Sequence, residues 1–339
     1  MAMPTTTPPI SPERIFTTAN AYQATAALRA AVDLEVFTAI GDGAQTVPAI
    51  AAQCTTSDRG TRILCDYLTI MGFLTKTGDR YQLTPESALF LSKRSPAYLG
   101  GTIEFLASPD VVRHFDDLAA TVRRGSIKHE DSTVSDENPV WQNFARTMMP
   151  MMMPPAQGIA DILDVAAAGP IKVLDIAAGH GIFGIVIAQR NPQAEIVASD
   201  WAGVLTVAAE NAEKMGVGAR HKGLPGDAFK VDFGTGYDIA LMTNFLHHYD
   251  MPTCTTLLTK VAGALKPGGR IAILEFVPND DRVTPPGPAS FAMQMLGGTP
   301  LGDAYTFAEL TAMLKAAGFA SATSHPLPGP ETVVVGVKT

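Results

Sequence analysis

Apolar positions follow two rhythms along this chain. From Glu13 to Ala39 the sequence is alanine-rich, with Ile15, Ala19, Tyr22, Ala26 and Leu28 at helical spacing, which predicts one long helix followed by a short one. TVPAIAAQC and SDRGTRILCDYLTIMG then read as two short helices, the second capped by Ser57, and FLTKTGDRYQL as a hairpin turning near Gly78-Asp79. Two helices and a hairpin outline a winged helix. Thr84 to Pro170 is predicted as a helical connector. After Pro170 the rhythm changes to KVLDIA, FGIVIAQR, AEIVASD, GVLTVAAENAEKMG, YDIALMTNFLHHYD, TTLLTKVAGALKPGGRIAILEFV, TFAELTAMLKAAGF and ETVVVGVKT. Short apolar strands alternating with longer helices predict an α/β fold, a Rossmann-like, doubly wound, mostly parallel sheet. Asn279 to Pro288, rich in proline, reads as a flexible surface excursion.

These patterns divide the 339 residues into a disordered leader (1–12), a winged-helix-like, helical domain (13–100), a helical connector (101–169) and an α/β domain (170–339). Composition narrows the function. Hydrophobic content of 46% against 17% charged residues describes a well-buried globular protein, and a formal charge of −8 argues against nucleic acid or an anionic membrane as main partner. Arg59 and Arg62 on the second short helix stand beside Asp58 and Asp66, a poor footprint for DNA, so a dimerisation surface is the competing reading of that domain. Three unclustered cysteines suggest neither a disulfide framework nor a zinc site and suit a cytoplasmic location. No apolar run reaches the roughly 18 residues of a membrane span.

Candidate chemistry collects at the ends of the predicted strands. IKVLDIAAGHGIFG carries GxGxxG with glycines at 179, 181 and 184, a pattern that serves several nucleotide sites. Asp175, at the end of its strand, would repel the phosphates of a dinucleotide but welcome an ammonium or a ribose hydroxyl, so the loop fits S-adenosylmethionine better than NAD. Asp200 ends the next strand about 20 residues beyond the loop; it can accept from ribose hydroxyls or cap the following helix. Gly226-Asp227-Ala228-Phe229 follows the third strand, where an acid can accept from an adenine amine and an aromatic ring can cover its face. Asn244 closes the fourth strand, free to bond a ligand or to cap a turn. Five methionines surround Pro150; Met148, Met152 and, at helical spacing, Phe144 serve equally as core or as the wall of an acceptor pocket.

The ordered set DIAAGHG, SDW, GDAF, NFLHHYD and LKPGGRIAILEFV resembles the class I S-adenosylmethionine-dependent methyltransferases. With the amino-terminal half, the chain is similar to the plant-type and acetylserotonin-like small-molecule O-methyltransferases and their bacterial relatives. The resemblance implies a homodimer built through the amino-terminal domain, a small-molecule acceptor and S-adenosylmethionine as cofactor. Carried over by position, Gly179 and Gly181 line the methionine portion, Asp200 the ribose, and Asp227 with Phe229 the adenine, while Asp175, Ala177, Trp201, Gly226, Ala228 and Asn244 complete the implied cofactor contacts. The family's base is a histidine after the fourth strand, matched by His247, with Glu275 as its carboxylate partner. His248 stands where the family has an acid. The second glutamate is missing, and Asp303 is the nearest substitute. Phe105, Phe144, Met148, Met152, His248, Phe291 and Met295 are the implied acceptor contacts, and no metal is implied.

Overall fold

The structure, a computed structural model, describes residues 10–128, 132–133 and 140–339. It divides into two compact units, Met1–Pro109 and Asp110–Thr339, so the 101–169 stretch straddles the division. Of the expected leader, residues 1–9 lie outside the described residues.

In the first unit the expected long helix is interrupted. Glu13–Ala19 and Ala21–Asp33 are separate helices, because the Asn20 side chain donates to Phe16 O at 3.0 Å and gives the backbone a competing partner. Glu35, at φ +57°, then sets off Val36–Gly41. Helices Val47–Cys54 and Asp58–Ile70 follow; Ser57 caps the second by accepting from Gly60 N at 3.2 Å. Strands β1 (Leu74–Thr77) and β2 (Arg80–Leu83) close the expected antiparallel hairpin across Gly78-Asp79 beside the helices. Phe37, Ile50, Leu68, Leu74 and Tyr81 form its core. Asp66 gathers the Tyr81 hydroxyl, Lys76 and Arg62, which occupies one of the two candidate DNA-contacting arginines within the unit.

The second unit is built on a seven-stranded sheet: β3 (Ile171–Ile176), β4 (Ala194–Asp200), β5 (His221–Pro225), β6 (Tyr237–Thr243), β7 (Leu265–Glu275), β8 (Phe319–Pro326) and β9 (Thr332–Lys338), in the order β5-β4-β3-β6-β7-β9-β8. The five strands from β5 to β7 are parallel; β9 runs antiparallel to both β7 and β8. The first residue of β9, Thr332, therefore pairs with the last residue of β7, Glu275. Both faces are covered. Val173, Leu241 and Leu274 pack with helices Met149–Ile162 and Ile182–Arg190, while Leu174, Met242 and Ile273 pack with Met251–Ala264 and Phe307–Ala316. Burial on two sides explains why these strands read as continuous apolar runs. The predicted 279–288 excursion is shorter than expected: helix Pro286–Gly298 begins inside it, with prolines in the first turn where no intrahelical N–H is needed.

The third glycine of the loop is required by this packing. A Cβ on Gly184 would stand 2.6 Å from Ile196 Cγ2 and 3.0 Å from Asp175 Oδ2. Gly184→Ala is expected to lose about 1–3 kcal/mol in urea unfolding, as overpacked cores do; an unchanged midpoint would mean that the helix slides away freely.

Candidate active site

The glycine loop joins β3 to the Ile182–Arg190 helix. Ala177, Gly179 and Gly181 have φ of +52°, +56° and +74°, and a side chain on alanine there is the costlier choice, as at many ligand-holding turns. A Cβ on Gly179 would meet only the Ala177 carbonyl, 3.9 Å off, so the space over the loop is open. Asp175 is fully buried. Its Oδ2 accepts from Gly184 N at 3.1 Å, while Oδ1 has no partner among the described residues. Burial pushes its pKa up to about 8, the nearby Asp200 charge adds to this, and the Gly184 N–H opposes it. Asp200 is not the cap of the helix Ala202–Lys214, whose N-cap is Trp201; its Oδ2 accepts from Gly179 N at 2.8 Å and its Oδ1 from Trp201 N at 2.7 Å. Each oxygen keeps a further lone pair. Burial raises this carboxyl to about 6 against the pull of those two N–H groups. An oxygen without a donor beside an open glycine cradle fits a ligand bearing an ammonium and a vicinal diol.

Beyond β5, Gly226 N bonds Asp200 O at 3.0 Å and draws the GDAF segment to the loop. Asp227 Oδ1 accepts from Phe229 N at 2.9 Å and Oδ2 pairs with Lys230, so its position is set by a local turn. Lys260 holds the Ala228 carbonyl at 2.8 Å, and the Phe229 ring meets Tyr249 edge-on at 5.0 Å.

On the other side of β3, the chain leaves β6 through Asn244, at φ +53°, into a short 3-10 turn, Leu246–His248. Glu275, closing β7, anchors this turn. Its Oε1 accepts from the backbone N–H of Phe245, Leu246 and His247 at 3.1, 2.9 and 3.3 Å, and Oε2 meets His247 Nδ1 at 2.5 Å. A carboxylate only accepts, so Nδ1 carries the proton and Nε2 the lone pair. The chain passing over His247 must be glycine at 302, since a Cβ there would fall 2.2 Å from the His247 carbonyl. Asp303 does not join this pair. Its N–H reaches His247 O, yet its carboxylate is turned outward to Arg282 at 3.1 Å and is 40% exposed.

Rings connect the two halves. His247 meets Phe291 edge-on at 4.9 Å and lies 4.3 Å from His248; His248 meets Trp141 at 5.2 Å; Trp141 meets Phe144 at 5.8 Å; Phe144 stacks on His180 of the glycine loop at 6.4 Å. Both added histidines are neutral: burial pushes His180 down to about 3, and burial with the neighbouring His247 holds His248 well below the usual range. Met152 is buried with its sulfur 3.4 Å from Asn244 Nδ2, and Met148 and Met295 are buried close by in sequence to Phe144 and Phe291. Phe105 is a buried residue of the first unit. Trp141 and His180 were not singled out from sequence; an indole three residues before Phe144 on an amphipathic stretch, and a histidine inside a glycine loop, were the available signals. Among the described residues no group of three or more His, Cys, Asp or Glu could hold a metal, and no helix is long and apolar enough to cross a membrane.

Comparison with known proteins identifies the family and the fold. The profile of the O-methyltransferase domain matches residues 144–320, and that of the O-methyltransferase dimerisation domain matches residues 16–93. The 3-hydroxy-5-methyl-1-naphthoate 3-O-methyltransferase of Streptomyces sahachiroi is 27% identical, covering 93% of this chain and 92% of its own. The L-tyrosine C(3)-methyltransferase of Streptomyces lavendulae is 27% identical, covering 92% and 88%. Among solved structures, an O-methyltransferase candidate from Nostoc punctiforme is 49% identical with a TM-score of 0.93, covering 98% of this chain and 100% of its own. Human N-acetylserotonin methyltransferase in complex with SAM shares the fold at 20% identity and a TM-score of 0.85, covering 99% of each chain.

The Glu275 anchor has a measurable consequence. In Glu275→Gln the amide oxygen can keep the three backbone donors only by turning its NH₂ toward His247, which makes Nδ1 the acceptor and puts the proton on Nε2. Nitrogen-15 NMR should show that exchanged tautomer, with a stability loss of about 1–3 kcal/mol; a ring still protonated at Nδ1 would show that other contacts set it.

Proposed function

This chain belongs to the O-methyltransferase family, joining that family's dimerisation domain to its catalytic domain, and from that premise we propose how it works: the methyl group of S-adenosylmethionine passes to a hydroxyl of a flat aromatic or polyketide-like small molecule, with His247 as general base. When bound, the cofactor supplies an electrophilic methyl on a sulfonium, open to in-line displacement. Asp175 would face its ammonium, Ala177, Gly179 and Gly181 would present main chain to the methionyl portion, and Asp200 with Trp201 would take the ribose. Gly226, Asp227, Ala228 and Phe229 would border the adenine, and Asn244 would stand between cofactor and acceptor.

The observation that carries the base assignment is the buried His247–Glu275 pair with its Nε2 lone pair left over. A phenol has a pKa of about 10 and an imidazole about 6.5, so the hydroxyl cannot ionise beforehand; Nε2 takes the proton as the oxygen attacks. Glu275 fixes the tautomer and stabilises the imidazolium that results. Such a base contributes typically ~10² to 10⁴ in rate. The run of rings from Phe291 through His248 and Trp141 to Phe144 supports a flat acceptor, held between base and glycine loop.

A second reading keeps the cofactor and places the methyl on a ring carbon beside the hydroxyl, since the same deprotonation makes that carbon nucleophilic and one relative is named for such a transfer. NMR of the product identifies the methylated atom. We also propose a homodimer through the first unit, where Phe16, Tyr22 and Ile70 are 63%, 68% and 80% exposed in the single chain. Light scattering should give twice the chain mass.

S-Adenosylhomocysteine at a hundredfold excess over its dissociation constant should stabilise the protein by about 2.7 kcal/mol, and a shift with NADH instead would overturn the cofactor assignment. Because the free Asp175 carboxyl titrates near 8, it is mostly protonated below that pH, and an ammonium needs the anion. Affinity for S-adenosylhomocysteine should therefore rise roughly tenfold between pH 6.5 and 8, and Asp175→Asn should flatten this rise. A flat profile in the parent protein would separate Asp175 from the ligand. His247→Ala, assayed with a hydroxynaphthoate acceptor, should slow turnover by about a hundredfold or more; an unchanged rate would leave positioning alone as the source of catalysis.

A further inference from the structure

One buried carboxyl has no part in the chemistry described so far. Glu331 immediately precedes β9, and because β9 is antiparallel to β7 its beginning lies at the sheet edge where β6 and β7 end. The register pairs Thr332 with Glu275, which places Glu331 one residue beyond the end of the strand carrying the partner of His247. Its side chain is 4% exposed, and Oε1 has no hydrogen-bond partner among the described residues. The turn that delivers it is firmly seated. Leu327 N donates to Glu331 O at 3.1 Å, and the Leu327 side chain packs where a Cβ on Gly158 would come within 2.8 Å, on the Met149–Ile162 helix.

We propose that Glu331 is a positioning residue for the base: a second carboxylate that acts through Asn244 and His247, holding the imidazole protonated once it has taken the acceptor's proton. The proposal rests on the base reading above and extends it. Three arguments support it. First, a buried acid with an oxygen that finds no donor is costly unless its charge has a use, and Glu331 is 4% exposed with Oε1 in that state among the described residues. Second, the groups that face it are few. From β6 comes Asn244, whose Nδ2 lies 3.4 Å from the Met152 sulfur; from β7 comes Glu275; from the 3-10 turn comes His247. The Pro286–Gly298 helix carries no charged residue, and the Met149–Ile162 helix has only Asp161, which is paired with Arg190. His248 is neutral. Among the described residues facing Glu331, His247 is thus the group that can become a cation, and its charge and that of Glu331 favour each other. Third, the alternative acid is spent, since Asp303 points outward to Arg282.

The electrostatics make the carboxyl responsive. Burial, chiefly, raises Glu331 to about 7, with Glu275 adding to the rise and Asn244 and His247 opposing it. A proton arriving on His247 therefore draws Glu331 toward its anionic form. Asn244 links the two sites: it is held at φ +53°, its N–H bonds Leu274 O at 2.8 Å, and its own Oδ1 is buried without a partner.

The test is a histidine NMR titration of the full-length protein saturated with S-adenosylhomocysteine, the His247 signal being identified by its loss in His247→Gln. Glu331→Gln keeps size and hydrogen bonding but removes the charge, and should lower the His247 pKa by about one unit. Glu331→Asp, which retains the charge, should hold it within about half a unit of the parent and serves as the test should the glutamine variant not fold, a larger drop then counting against the proposal. With hydroxynaphthoate as acceptor, the acid limb of the kcat/KM profile should move down by the same interval, and Glu331→Gln should cause no further loss in a His247→Ala background. An unmoved titration would overturn the proposal, as would a rate loss that adds fully to that of His247→Ala. The titration needs no acceptor, so the two failures are separable: an active His247→Ala variant removes the base reading, whereas an unmoved His247 signal removes only Glu331.

Discussion

A line of carboxyl groups along one edge of an otherwise hydrophobic sheet organises this enzyme. Read across the sheet in spatial order, Asp227 follows β5, Asp200 ends β4, Asp175 is next to last in β3, Asn244 follows β6, Glu275 ends β7 and Glu331 precedes β9. Behind this line the central strands β3 and β6 and the second half of β7 are buried on both faces, mostly by Val, Ile, Leu and Ala. Acids in such a place would destabilise the fold by several kcal/mol each if they lacked partners. The backbone amides of the turns that follow the strands supply those partners, so the polar line and the turn geometry specify one another.

The individual solutions differ, and the differences match the roles. Glu275 takes three backbone N–H groups and an imidazole, the most complete set in the line, which suits a residue that must hold a base in one tautomer. Asp200 has one backbone donor on each oxygen and is raised only to about 6, leaving it able to accept hydroxyls. Asp175 and Glu331 each keep an oxygen with no donor and are raised to about 8 and about 7. On the proposed reading a cation completes each: a bound ammonium for the first, and the imidazolium formed during turnover for the second. The sheet thereby separates carboxylates that are finished in the folded chain from carboxylates that something else completes.

Most of this line was legible in the sequence because it is local. Each of the four strands β3 to β6 ends in a motif, DIAAGHG, SDW, GDAF or NFLHHYD, in which polar residue and turn are contiguous, and the apolar runs between them announce a buried sheet. What was illegible required pairing information. Glu331 opens the run ETVVVGVKT and looks like the polar start of an edge strand; only the antiparallel register with β7 brings it beside Glu275. Asp303 misled for the opposite reason, being near in sequence to the expected place while its side chain turns to Arg282. The rings of Trp141, Phe144 and His180 meet through helix packing that no spacing rule encodes, and the break at Asn20 depended on a side chain outcompeting the helix ladder.

The antiparallel step from β7 to β9 also divides the labour of the site. The sites after β4 and β3 belong to units in which strand, turn and helix are consecutive, so a change of ligand there would disturb the packing of a helix on the sheet, as the close fit of Gly184 against Ile196 illustrates. On the β7-β9 side the polar groups come from segments far apart in the chain: Glu275, the 3-10 turn, the Pro286–Gly298 helix that brings Phe291, and the hairpin turn that brings Glu331. Substitutions in any one of these can alter the acceptor half while leaving the neighbouring βα unit intact. On the proposed reading, a donor half of contiguous strand and turn beside an acceptor half drawn from distant segments puts acceptor choice in the connections after β6 and β7 and before β9, away from the glycine loop.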